Sequence, residues 1–313
     1  MTPTNQGSIR LFRFAGIDLY LHWSWFLVAY YGISQRAGTY TSPIWNVLEY
    51  LALFGIVLLH EFGHALACRQ VGGQANRIVL WPLGGVAYVN PPQRPGATLW
   101  SIAAGPLVNV VLFPTLLGIA YLMSVAGLAE TMPNASELLQ AVFYINFALL
   151  IFNLLPIYPL DGGQILRSLL WFVLGRAWSL MVVTVIGFLG VAGLILLAAL
   201  AQSVWLGLIA VFILLNCRRG LRQAVEMIRA ARAPRHAELA CPHCRMHPPC
   251  GAFWICGNCQ QPFDMFAERA VCPNCAAAYV TTGCLDCGAP SPVQAWLPTP
   301  PAEQGRGPGI HDE

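Results

Sequence analysis

The stretch LEYLALFGIVLLHEFGHALAC, Leu48 to Cys68, decides how the rest of the chain is read. Roughly 20 helical residues cross the roughly 30 Å hydrocarbon core of a bilayer, and this stretch is that long and that apolar. Near its end stands His60-Glu61-Phe62-Gly63-His64. On a helix, positions i and i+4 share a face, so the imidazoles of His60 and His64 can hold one metal ion. Glu61 is one position on; it is poorly placed as a third ligand on that face but can reach a water beside the metal. A charged group in an apolar span costs about 2.5 kcal/mol or more near its middle, which calls for a compensating partner.

The composition agrees with a membrane chain. Hydrophobic residues make up 57% of the sequence and charged residues 10%, against about 25% charged in soluble domains. All 17 basic residues are arginine. Outward from the HEFGH span, Leu19–Ile33 reads as a first span, retained because no cleavage site follows it. Its His22 fits a hydrogen-bonded interfacial residue better than a ligand. Residues 1–18 form a polar cytosolic arm. Residues 77–89, RIVLWPLGGVAYV, carry β-branched runs broken by Pro82 and Gly84-Gly85 and predict a short membrane-associated hairpin. Its edge can serve as a plain connection or take up a substrate strand.

A third span lies within Thr98–Leu128 and contains the small-residue run Ser101 to Pro106 followed by Asn109. A fourth, Leu138–Pro156, contains Asn146 and Asn153. It ends in a break rich in Pro and Gly that leads to Asp161, and irregular backbone at membrane depth needs protein or water around it. Asp161 is therefore the candidate third ligand, with helix capping the plainer role. Residues 164–176 predict an interfacial helix, and Ala177–Ala201 and Ser203–Cys217 a fifth and sixth span. Arg218, Arg219, Arg222, Arg229, Arg232 and Arg235 crowd the exit. The excess of arginine on one side puts both termini in the cytosol. The expected fold class is thus an α-helical polytopic membrane protein of about six transmembrane helices, with a small β-hairpin and a cysteine-rich region.

His60, His64 and Asp161 leave a fourth coordination position open, the pattern of a catalytic zinc site. The motifs HEFGH in a span, AAGPLVN at 103–109, NLLPIYPLDGG at 153–163 and PLGG at 82–85 occur in the order that resembles the site-2 protease family of intramembrane metalloproteases. The resemblance covers most of residues 10–220. It implies a three-helix catalytic core within a protease domain spanning 19–220. It further implies zinc ligation by His60, His64 and Asp161, with Glu61 as catalytic base and Asn109 positioning the substrate or stabilising an oxyanion. It also implies cleavage of transmembrane segments of other membrane proteins near the cytosolic leaflet, in a multi-pass protein of a bacterial cell membrane.

The region after a basic linker helix (221–239) is of another kind. Eight of the 11 cysteines form four CxxC pairs, a spacing that argues for thiolate-bound metal in a reducing compartment. Taken as neighbours, Cys241, Cys244, Cys256 and Cys259 would hold one structural zinc and Cys272, Cys275, Cys284 and Cys287 a second, in tandem zinc ribbons over 240–288. Cys250, His243 and His247 are spare donors. From His236 to Glu313 there are three Arg against seven Asp or Glu, which argues against nucleic acid as a partner and for a cytosolic protein partner. Residues 289–313 are expected to be disordered. One competing reading treats the whole chain as a non-enzymatic membrane scaffold presenting its ribbons; the base at Glu61 speaks against it.

Overall fold

The computed structural model describes residues 7–81 and 84–297, with the side chains of 84–87 outside the description. The chain forms two compact units divided between Ala224 and Val225.

The membrane unit begins with strands β1 (Ser8–Phe14) and β2 (Ile17–His22), followed by helices α1 (Trp25–Gln35) and α2 (Pro43–Gln70). Strands β3 (Gln74–Trp81) and β4 (Gly84–Asn90) come next. Then follow α3 (Pro95–Val125), the single turn α4 (Leu128–Thr131), α5 (Pro133–Leu154), α6 (Asp161–Leu200) and α7 (Val204–Arg232). Five of these, α2, α3, α5, α6 and α7, are long and apolar enough to cross a membrane.

The expected span at Leu19–Ile33 is not formed. Its first half is β2, where Ile17 and Leu19 are fully buried in alternation with Asp18 and Tyr20. Leu19, Tyr20 and Leu21 pair in parallel with Ile78, Val79 and Leu80 of β3. The second half is α1, whose 11 residues extend only about 16 Å. The short polar arm is also corrected: its described part is β1, joined to β2 through Ala15 (φ 48°) and Gly16 (φ 73°). Positive φ at both positions of a two-residue loop is the geometry that matches the twist of a hairpin. The predicted hairpin is present as β3 and β4, within a sheet of order β1-β2-β3-β4; Pro82 and Leu83 of its turn lie outside the described residues.

Ile17, Leu19, Ile78 and Leu80 from the sheet share one buried cluster with Phe62, Ala65 and Cys68 of α2. The sheet is thereby seated on the HEFGH end of α2. Arg69 fixes this seat: its guanidinium donates to the carbonyls of Ala75 (2.8 Å), Gly16 (3.0 Å) and Ala15. His22 is buried, stacks on Trp81 at 3.9 Å and hydrogen-bonds Ser24, as expected of a packed histidine.

Helix α6 breaks at Gly175, which has φ 76°, a conformation that a side chain would strain. The break separates an initial segment over 161–174 from the long apolar part of α6.

The second unit is built of hairpins β5 (Trp254–Ile255) with β6 (Pro262–Phe263) and β7 (Thr281–Gly283) with β8 (Pro290–Pro292), followed by a 3-10 turn over Val293–Trp296. The disorder expected from residue 289 is thus corrected up to Leu297: Trp296 is 1% exposed and packs with Cys241 and Cys284.

Candidate metal centres

Three elements converge in the membrane unit. Helix α2 contributes His60 and His64 one turn apart. Helix α6 contributes Asp161, its first residue, and α3 packs across both. Small residues allow the approach. A Cβ on Gly63 would lie 2.7 Å from the Ala104 carbonyl, and one on Gly105 would lie 2.2 Å from His64 Nε2. The start of α6 is equally tight, since a Cβ on Gly162 would meet the Leu154 carbonyl at 2.2 Å. The break between α5 and α6 turns the chain back sharply enough to aim Asp161 at α2.

The donor atoms lie close together. His60 Nε2 is 3.1 Å from His64 Nε2, and Asp161 Oδ2 is 3.0 and 3.4 Å from them. Ligands around a tetrahedral zinc stand about 3.3 Å apart. The hydrogen bonds on the far side of each ring fix the tautomers. His60 Nδ1 donates to Asn109 Oδ1 (2.7 Å) and His64 Nδ1 to the Ser101 carbonyl (2.9 Å). Each neutral ring then turns a lone pair toward the other and toward a carboxylate. Asp161 Oδ2 is buried with no hydrogen-bond partner among the described residues, and Asp161 is the first residue of α6, after the N-cap Leu160. Three acceptors converging in a buried space offer a set of ligand atoms that fits a zinc ion. Glu61 is 6% exposed in the same wall.

Asn109 stands on α3 against His60. It is fully buried, and its amide joins His60 to Asn146 of α5: Asn109 Nδ2 donates to Asn146 Oδ1 (2.8 Å), and Asn146 Nδ2 donates to the Asn109 carbonyl (3.0 Å). Asn146 and Ser101 join the site through these hydrogen bonds. The clue to Asn146 was its position as a second polar residue within the spans.

In the second unit the cysteines also form two groups, with a pairing that corrects the sequential one. Cys241, Cys244, Cys284 and Cys287 form one group and Cys256, Cys259, Cys272 and Cys275 the other. The inner site is nested within the outer. Sulfur atoms stand 3.5 and 3.6 Å apart in the inner group and 3.7 and 3.8 Å in the outer, close to the about 3.8 Å edge of a tetrahedral zinc-thiolate site. All four CxxC pairs share one knuckle. The residue after each second cysteine, Arg245, Gln260, Ala276 or Gly288, donates its amide to the carbonyl of the first cysteine. The same four residues have positive φ. The first cysteine in turn donates to the residue beyond, as in Cys256 N to Gln261 O. Each knuckle caps a small hairpin or bridge, and the inner and outer cysteines lie in two clusters bridged by Phe266. The Cys259 amide and the Tyr279 hydroxyl lower the Cys256 pKa to about 6, favouring thiolate. Cys250, His243 and His247 lie outside both groups.

Helices of this length around a buried two-histidine, one-carboxylate centre define a membrane-embedded metalloprotein with a hydrolase-type site. Residues 49–197 match peptidase family M50. The chain is 34% identical over 208 residues to a zinc metalloprotease of Methanocaldococcus jannaschii, covering 66% of this chain and 58% of that one. It is 34% identical over 121 residues to stage IV sporulation protein FB of Bacillus subtilis, covering 37% and 38%. The chain thus spans 58% or less of the length of these relatives. The structure is similar to that of the site-2 protease from M. jannaschii, with TM-score 0.51, 29% identity and coverage of 69% and 95%. The membrane unit matches the peptidase family M50 over residues 49–197 and is similar in structure to a site-2 protease.

Proposed function

We propose that this chain is an intramembrane zinc endopeptidase that cuts transmembrane segments of other membrane proteins near the cytosolic leaflet. The observation that carries the proposal is the convergence of His60 Nε2, His64 Nε2 and Asp161 Oδ2 beside Glu61 in an apolar unit. His60, His64 and Asp161 would hold the metal. When bound, zinc supplies a Lewis acid that makes water nucleophilic near pH 7 and polarises the scissile carbonyl. Glu61 takes the proton of the attacking water and returns it to the departing amide nitrogen. Asn109 and the Ser101 carbonyl keep both imidazoles in the ligating tautomer. The buried apolar walls restrain bulk water, so the water that enters is the one Glu61 manages.

The proposed sidedness puts the metal and both termini toward the cytosol. In its support, β2 leads into α1 and β3 follows α2, yet both strands are in one sheet, so the chain returns to the side it left. The short α1 thus replaces the missing span without changing the parity. In support of this sidedness, Arg69, Arg77 and, at the end of α7, Arg218, Arg219 and Arg222 would fall on this side. In the second unit, we assign one structural zinc to each four-cysteine group and a regulatory, protein-binding role to the module.

The test is membrane proteomics in the native host, comparing wild type with Glu61→Gln. Accumulation of uncut single-span proteins in the variant is expected. A variant that cleaves a genuine substrate as wild type does overturns the mechanism. Deleting residues 240–313 addresses the scaffold reading, which requires all phenotype to vanish with the ribbons while proteolysis requires the chemistry to persist.

A further inference from the structure

Arg167 lies in the initial segment of α6, between Asp161 and the break at Gly175. Its Nε is shielded from solvent and has no hydrogen-bond partner. No hydrogen bond or ion pair to its guanidinium is formed among the described residues. The charged and phenolic neighbours that act on it are Tyr158 and Arg176, and no carboxylate among the described residues balances its charge. A half-buried arginine with five donors in a fixed fork and no acid nearby is an incomplete structure.

The surroundings indicate what completes it. Arg176 places its guanidinium 6.0 Å over the ring of Trp171, and Trp171 is one turn from Arg167 on the same helix face. The Tyr158 ring packs against Gly220 of α7. The next residues on that helix toward the exit include the exposed Arg222, and the preceding ones Arg218 and Arg219. Between the two arginines of α6, Leu169, Phe172 and Val173 are exposed, Val173 by 83%. A cationic fork beside a strip of exposed apolar side chains matches a molecule that is anionic at one end and aliphatic at the other.

We propose that Arg167, Arg176 and Tyr158 form a binding site for a phosphate group, supplied by the headgroup of an anionic phospholipid of the same leaflet. The Arg167 fork donates to two phosphate oxygens side by side, a geometry that lysine does not reproduce. The acyl chains lie along Leu169, Phe172 and Val173. The bound lipid anchors the initial segment of α6.

The experiment uses the full chain in nanodiscs of phosphatidylcholine alone, of phosphatidylcholine mixed with phosphatidylglycerol, and of phosphatidylcholine with inorganic phosphate added. Lipid retained on release is read by native mass spectrometry and stability by thermal unfolding. Wild type should keep phosphatidylglycerol and unfold at higher temperature with it, while inorganic phosphate alone has no effect. Arg167→Gln should weaken retention about tenfold, the loss expected for a charge-assisted pair. Arg167→Lys, which keeps the charge and the fold's solvation, should weaken it partly, and the Arg218→Gln/Arg219→Gln pair should retain the lipid. Equal stabilisation by inorganic phosphate would reassign the site to the free anion and overturn the lipid ligand. No preference of wild type for phosphatidylglycerol, or wild-type retention in Arg167→Gln, overturns the site itself.

Discussion

The two units gather metal donors in opposite ways. In the membrane unit the donors come from helices far apart in sequence, and their aim depends on neighbours: Asn109 and Ser101 hold the imidazoles, and Gly105 and Gly162 leave the room. In the ribbon unit each pair of thiolates is aimed by its own knuckle, through backbone hydrogen bonds that repeat four times. The first centre has three donor residues, with the carboxylate of Glu61 next to His60 in sequence, while each group of the second has four cysteines. A helical scaffold already folded can leave a coordination position open for chemistry. A module with a small core uses its positions to hold itself together.

The comparison predicts different responses to damage. The largest concerns chemistry: Glu61→Gln should lower cleavage by roughly 10³-fold or more while zinc content is unchanged, since only the proton carrier is lost. This is measured with purified protein and a membrane-spanning substrate. Next, Cys256→Ser or Cys272→Ser should each release the same single zinc and unfold the inner ribbon, because a structural zinc contributes on the order of 10 kcal/mol to such a fold. Cys241→Ser and Cys284→Ser should share the other ion. Zinc counting with hydrogen exchange reads both effects, and loss of a common ion by Cys241→Ser and Cys256→Ser would instead restore the sequential pairing. In the membrane unit, Asn109→Ala should weaken zinc affinity by roughly 10- to 100-fold without unfolding the helices, and Asn146→Ala should act in the same direction but less.

The smallest expected effect is at Asp264. Burial pushes its carboxyl pKa up, but the backbone amides of Gly251, Ala267 and Phe266, with His236, outweigh this and hold it below the usual value. A carboxyl with a lowered folded pKa contributes stability that is present above its unfolded pKa and lost as pH falls through the folded one. Asp264→Asn should therefore cost about 1 kcal/mol near neutral pH, and less in acid, in unfolding of the zinc-loaded chain.

Much of the membrane site was legible because each part leaves its own mark. HEFGH shows its helix face by spacing, and Asp161 stands at a break that only a buried environment tolerates. What could not be read was the direction of a side chain. Asn109 is a polar residue inside a span whether it faces a substrate or a histidine, and its bond to His60 is a matter of packing between α2 and α3. Residues 19–33 misled for a related reason. Ile17 to Leu21 is apolar in a helical window and also alternates with period two, and only pairing with β3 selects the strand. In the ribbon, CxxC spacing identifies the knuckles but carries no information on which knuckles meet. That choice is made by the hairpins and by the packing of Trp254, Phe263 and Trp296 in the two clusters.

The account rests on the membrane unit holding its own zinc apart from the ribbon sites. The direct measurement is zinc per chain in the purified full-length protein and in the His60→Ala/His64→Ala variant. About three ions are expected in the wild type and about two in the variant, with the ribbon unit still folded. A variant that keeps the wild-type number would contradict it, because the convergence of His60, His64 and Asp161 would then hold no metal.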